Sequence, residues 1–335
     1  MDETSDTATK TAPGIEAFTF GDPIPVLDRR ELLDYIQCLD NGRWYDTPVS
    51  FDGLAKTFRS SPHHSSCIYV KRNLLAGSFI PHKLLGRSEF AKLVLDYLIF
   101  GNGYLERIDS VGGKPMQLRH ALSRYVRRGL KDGQYWWVNG LRTEEEFTRG
   151  ALWHLIEPDI NQEIYGLPEY LGAIQSALLN EASTLFRRRY YLNGSHAGYI
   201  LYISDAAQNN DDIDAIRAAL KGAKGPGNFR NLFLYSPNGK KDGVQMIPIS
   251  EVAAKDEFLG IKDASRDDVL AAHRVPPPLL GIVPKNAGGF GSIEQAAAVF
   301  FRHEIEPLQA RLRELNDWLG VEVVRFAPPA PTIGP

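Results

Sequence analysis

Residues 166–194 read GLPEYLGAIQSALLNEASTLFRRRYYLNG. Leu167, Leu171, Ile174, Leu178, Ala182 and Leu185 recur at spacings of four and three, which keeps one side of an α-helix apolar. Pro168 suits a first helical turn, and Asn193-Gly194 supplies a left-handed stop. The spacing predicts one uninterrupted helix from Pro168 to Asn193, roughly 39 Å long at 1.5 Å per residue. It ends in Arg187, Arg188 and Arg189, which complement the negative end of the helix dipole.

Downstream, GYILYIS and NLFLYSP read as strands around a short helix, DDIDAIRAALKG, and a Gly-rich turn, KGAKGPGNFRN; MIPIS reads as an edge strand. EVAAKDEFLGIKDASRDDVLAAHR predicts a second long helix that stops at Pro276, Pro277 and Pro278. Two long helices thus bracket a small α/β insert. Ser292 with Gln295 forms a capping box for a third, in which Phe301, Ile305, Leu308, Leu312, Leu315 and Leu319 keep the four-three alternation up to Gly320. That stripe is expected to face a partner, and Pro307 is expected to kink the helix. A strand, VEVVRF, and a Pro-rich tail follow.

Upstream, the first dozen residues are polar and acidic and predict a disordered tail. FTFGDPIPV is extended, and RRELLDYIQCL, SFDGLAKTFRS and HSSCIYVKRNLLAGSF predict helices. Between Ala91 and Val138 the pattern turns to short strands (FGNGYLERID, PMQLRHAL, YVRRGL, QYWWVNG), with Gly112-Gly113 and Asp132-Gly133 as hairpin signals. WHLI, from Trp153, is another strand. The fold class is α+β.

The 335 residues carry a net charge of -3 with 43% hydrophobic and 24% charged side chains, the balance of a soluble globular protein. Overall charge does not favour broad phosphate binding, so any DNA contact is local or loose. Cys38 and Cys67 read as two small buried hydrophobes in a reducing compartment. No apolar signal segment and no run of 18 apolar residues is present, so neither export by a signal peptide nor a membrane span is expected.

The chemistry-bearing motifs are missing. GAKGPGN (222–228) lacks the phosphate-loop pattern, RHEIEP replaces the second histidine of a zinc motif with Pro307, and no G-x-S-x-G occurs. Adjacent His63 and His64 point about 100° apart on a helix and do not share a metal. Asn193-Gly194-Ser195 is a helix stop rather than a glycosylation site. Asp211-Asp212 and Asp267-Asp268 read as helix first turns, or as cation ligands of a metal-dependent nuclease. No catalytic, cofactor or metal residue is assigned. Arg187, Arg188 and Arg189 read either as a solvated helix end or, with Lys221, Lys224, Arg230, Lys240 and Lys241, as a basic patch for a partner or DNA.

RRELLDYIQCLDNGRWYDTPVSFDGLAKTFR, HHSSCIYVKRN, LDYLIFGNGYLERI, IYGLPEYLGAIQSALL, YYLNGSHAGYIL and HRVPPPLLGIVP, in that order, resemble tailed-phage portal proteins of the small PBSX type over nearly the whole chain. The resemblance implies a portal-type fold and a non-enzymatic ring, usually a dodecamer, at one capsid vertex of the virion, assembled in the host cytoplasm. DNA is packaged and ejected through it. Its implied partners are terminase, a head-completion or connector protein, capsid and scaffolding proteins, and double-stranded DNA held without sequence specificity; no membrane and no cofactor are involved. The implied parts are a tail (1–17), a wing (18–166), a first stem helix (167–193), a clip (194–250), a second stem helix (251–274), a tunnel-loop region (275–291), a wing helix (292–320) and a C-terminal strand and tail (321–335), with the crown absent or minimal. In that scheme Lys285, Asn286, Gly288, Gly289 and Gly291 line the DNA channel; read without the resemblance, the same glycines make a surface linker. A monomeric assembly scaffold is the other reading of the chain.

Overall fold

The computed structural model describes residues 38–140, 144–192, 199–203, 244–248, 254–282 and 292–328, with backbone alone at 189–192, 199–203, 244–248 and 254–259. The expected tail, the RRELLDYIQCL helix, the DDIDAIRAALKG helix, the Gly-rich turn, the NLFLYSP strand and the Pro-rich tail lie outside those residues, apart from the last two residues of RRELLDYIQCL.

Ser50 starts α1 (Phe51–Thr57), its Oγ accepting the Gly53 N–H at 3.0 Å. Pro62 then opens α2 (Pro62–Ser78), which runs into β1 (Phe79–Ile80). The next helix, α3 (Arg87–Phe100), corrects the expectation of strands from Ala91 onward. Its aromatic and β-branched residues suit a strand locally, yet Phe90, Leu93, Val94, Tyr97 and Phe100 are all buried, a helical period. Gly101, at φ 67°, ends it in the left-handed conformation.

The chain turns at once into β2 (Asn102–Asp109), which pairs antiparallel with both β3 (Pro115–Ala121) and β7 (Leu152–Ile156). A second antiparallel sheet holds β4 (Val126–Arg128), β5 (Tyr135–Trp137) and β6 (Glu145–Glu146). The expected hairpin turns form, Gly113 and Gly133 both taking positive φ.

The long helix of residues 166–194 starts later than its apolar spacing predicts. Glu169–Ala173 is a 3-10 turn, and α4 is Ile174–Leu192. Its buried side changes character along its length, from Ile174, Ala177 and Leu178 to Asn180, Glu181 and Ser183, while Ala182 is exposed. The reason lies in its partner α5 (Ala254–Ala272), whose hydrogen bonds to α4 step backward: Ser176 to Asp268 at 2.9 Å, Asn180 to Ser265 at 2.9 Å, Lys262 to Thr184 at 3.3 Å. The helices are therefore antiparallel, packed through small side chains (Ala173, Ala177, Val269, Ala272) at one end and joined by polar contacts beyond. Between them in sequence lie β8 (Tyr199–Ile203) and β9 (Val244–Pro248), an antiparallel pair.

The third long helix is broken into α6 (Ile293–Phe300), a π-turn at Phe301–Ile305, α7 (Glu306–Leu312) and α8 (Glu314–Leu319). Ser292 and Gln295 form the expected capping box. Pro307 has no N–H to donate and its ring crowds the carbonyl four residues back; the turn before it widens, and the Glu306 N–H donates to Phe301 O. The Ile305, Leu308, Leu312 and Leu315 stripe does not face a partner. It closes the chain's own core against Leu75, Phe79, Phe90 and Leu93, with Val323 and Val324 beneath β10 (Arg325–Phe326), which pairs with β1. VEVVRF thus contributes two strand residues.

Candidate functional site

Glycines bring three segments together where α3, β7 and the chain leading to α4 meet. The Glu157 N–H donates to Gly101 O at 2.8 Å. Asn102 Nδ2 donates to Phe100 O at 2.7 Å and Gly166 O at 2.8 Å, and Asn102 Oδ1 accepts the Gly166 N–H at 2.8 Å. Gly166 has no room for a side chain: a Cβ there would lie 2.0 Å from Gly101 O and 2.5 Å from Glu157 N. The quoted FGNGY and YGLPEY segments are thus two halves of one joint.

Above it lies a cluster of charges from four elements. Lys71 on α2 is only 3% exposed in its side chain, and its Nζ sits 2.9 Å from Glu304 of the π-turn and 3.8 Å from Glu169 of the 3-10 turn. Arg274, just past α5, donates from Nε to Glu304 and from Nη2 to Glu169. Nearby, Tyr97 and Arg311 both donate to Glu157, whose carboxyl burial pushes above its usual value against those two donors. A small cleft between these groups is lined by Lys71, Glu157, Glu169, Tyr170, His273 and Leu308.

His64 and His273 close the cluster from below, His64 Nδ1 lying 2.9 Å from His273 Nε2. Burial holds His64 down to about 4 and His273 to about 2, the latter helped by His64, Lys71 and Arg274. A histidine kept neutral by the fold stabilises it fully above its unfolded value of 6.5, and that contribution is lost as pH falls toward the folded value. For His64 the loss by a pH of about 4 is about 3 kcal/mol. Urea unfolding followed from neutrality downward is expected to weaken already just below the ordinary histidine range, before carboxylates titrate; a flat profile there would contradict this account.

The residues singled out from sequence are not brought together. Arg187 and Arg188 are exposed on α4, and Arg189 is described by backbone alone. Lys221, Lys224, Arg230, Lys240, Lys241, Lys285, Asn286, Gly288, Gly289, Gly291, Asp211 and Asp212 lie outside the described residues. Asp267 pairs with Arg266 at 2.9 Å, and Asp268 accepts from Ser176, so this aspartate pair is spent on helix contacts rather than on a nuclease metal. Cys67 is buried and its thiol is pushed up to about 12 by burial; Cys38 is half-buried, against expectation, with its Sγ 3.0 Å from Gln162 Oε1. Among the described residues no helix is long and apolar enough to cross a membrane. The charge cluster escaped sequence reading because Lys71 and Glu304 are 233 positions apart, each unremarkable in its own helix.

Residues 81–328, most of the chain, match the family model described as phage portal protein. The chain belongs to the phage portal protein family. It is 56% identical over 320 residues to the probable portal protein of Escherichia phage P2, covering 96% of this chain and 93% of that one. To the probable portal protein of Haemophilus phage HP1 (strain HP1c1) it is 36% identical over 290 residues, covering 84% of each. A crystal structure of an HK97 family phage portal protein from Corynebacterium diphtheriae shares the fold with TM-score 0.59 at 14% identity, covering 82% of this chain and 94% of that one. So does a chain in the neck of a native gene transfer agent particle computed with C12 symmetry, with TM-score 0.57 at 20% identity, covering 84% of each. The chain is therefore a structural, non-enzymatic portal protein of a phage particle, the passage for DNA at a capsid vertex. The match is to the portal family as a whole.

Proposed function

We propose that copies of this chain, twelve as in the C12 neck that shares its fold, close into a PBSX-type portal ring through which DNA is packaged and ejected. The observation that carries the reading is the antiparallel α4–α5 hairpin rooted in the α/β body, which supplies a two-helix element for the wall of a channel. In this reading 167–193 and 251–274 are stem helices, 194–250 is a clip that docks terminase and then a head-completion or connector protein, and 18–166 and 292–320 form the wing that meets capsid and scaffolding proteins. Assembly takes place in the host cytoplasm before the ring is enclosed in the virion.

Residues 275–291 are the tunnel-loop region, with Lys285, Asn286, Gly288, Gly289 and Gly291 at the constriction. Arg187, Arg188 and Arg189 with Lys221, Lys224, Arg230, Lys240 and Lys241 form the basic surface offered to DNA or terminase, by non-specific charge attraction. Joint replacement of Gly288, Gly289 and Gly291 by alanine is expected to leave rings in negative-stain class averages and to reduce packaged DNA at least tenfold, because the lost backbone freedom falls on the moving part. Wild-type packaging by that variant would reduce the segment to a linker; a chain that stays monomeric under all assembly conditions would sink the ring itself.

A further inference from the structure

The hairpin carries two of the four clustered charges, one at each root. Glu169 leads into α4 and Arg274 follows α5, while the body supplies Lys71 and Glu304. Their contacts close a ring of alternating sign: Lys71 to Glu304, Glu304 to Arg274, Arg274 to Glu169, Glu169 to Lys71. Two of these contacts lie within one part, Arg274–Glu169 on the hairpin and Lys71–Glu304 on the body. The other two cross between the parts.

That partition has a physical consequence. If the hairpin rotates against the body, the two crossing contacts break together, yet each side keeps one cation paired with one anion. No unpaired buried charge is left, the outcome that makes breaking most buried ion pairs so costly. The backbone marks the same place. Arg274, at φ 55°, is the one non-glycine residue with positive φ among the described residues, a conformation that L side chains adopt reluctantly and that persists only where surroundings enforce it. Across the hairpin's other root, the 3-10 turn gives a second tight connection in place of a continuous helix.

We propose that Lys71, Glu169, Arg274 and Glu304 form a separable electrostatic joint on which the α4–α5 hairpin swings as a rigid unit against the α/β body, with Arg274 as its pivot. The inference rests on the hairpin's geometry and not on the stem assignment, so a packaging result and a joint result fail separately.

Hydrogen exchange by mass spectrometry on the assembled full-length protein tests it with Glu169→Gln, whose site is part-exposed and which therefore leaves the chain folded. Amides of the two roots, 169–173 and 272–275, are expected to exchange about tenfold faster, while mid-hairpin amides around Ser176 and Ser265 and those of β2 and β7 keep the wild-type rate. Arg274→Lys is expected to fall between, since it keeps the charge but loses the planar fork that reaches the two carboxylates from separate nitrogens. Unchanged exchange at the roots would overturn the joint, as would a uniform rise through β2 and β7, which would make the cluster an ordinary part of global stability. Faster exchange spread through the hairpin would overturn its rigid swing.

Discussion

Gly166→Ala is expected to yield little or no soluble protein. The added Cβ would stand 2.0 Å from Gly101 O, 2.5 Å from Glu157 N and 2.8 Å from Glu157 O, all backbone atoms that cannot turn aside as a side chain would. Relief requires moving the end of β7 away from the end of α3, which breaks the Glu157-to-Gly101 hydrogen bond and the Asn102 bridge together. The cost is on the order of 4 kcal/mol or more, a large part of the stability of an ordinary domain. Gly172→Ala, in the neighbouring 3-10 turn with nothing within 4 Å of its Cβ position, is the matched control and should stay soluble with nearly unchanged melting. If both variants express and melt alike, the three-way backbone junction is not what holds the hairpin to the body.

Glu304→Ala is the second large effect. It leaves the Lys71 ammonium, 3% exposed, with Glu169 at 3.8 Å as its remaining carboxylate, and removes the anchor of Arg274 Nε. Losing one partner of a buried pair costs about 3 to 5 kcal/mol. Combining Lys71→Met with Glu304→Leu should instead recover most of that loss, to within about 1 to 2 kcal/mol of the wild type, because two apolar side chains carry no desolvation penalty. Urea unfolding of Lys71→Met, Glu304→Leu and the variant that combines them measures the difference. An additive double variant would mean that the two charges do not interact.

Much of this molecule is legible locally. The capping box at Ser292, the Gly113 and Gly133 turns and the second long helix depend on residues within a few positions of each other, and the structure has them where the residue types place them. The misreadings share a cause. Ala91 to Phe100 has strand-forming side chains, but burial of Leu93, Val94, Tyr97 and Phe100 at helical spacing lets tertiary packing override that preference. The heptad-like stripe of 301–319 reads as a surface for a partner because periodicity reports that a face is buried and not by whom.

The family was carried by short segments in a fixed order, and two of their glycines, Gly101 and Gly166, are fixed by steric necessity: only glycine fits where two backbones touch. What the sequence by itself determined, then, is α1, α2 and α5, the Ser292 cap, the Gly113 and Gly133 turns, and membership among portal proteins, all of which rest on local spacing or on close backbone approach. Only the tertiary structure decided that Pro307 widens the preceding turn, that α4 and α5 meet through a polar seam, and that Lys71, Glu169, Arg274 and Glu304 converge. Contacts between residues 30 to 233 positions apart leave no periodic trace in a chain, because the pairing energy depends on distance in space and burial, neither of which a linear pattern encodes.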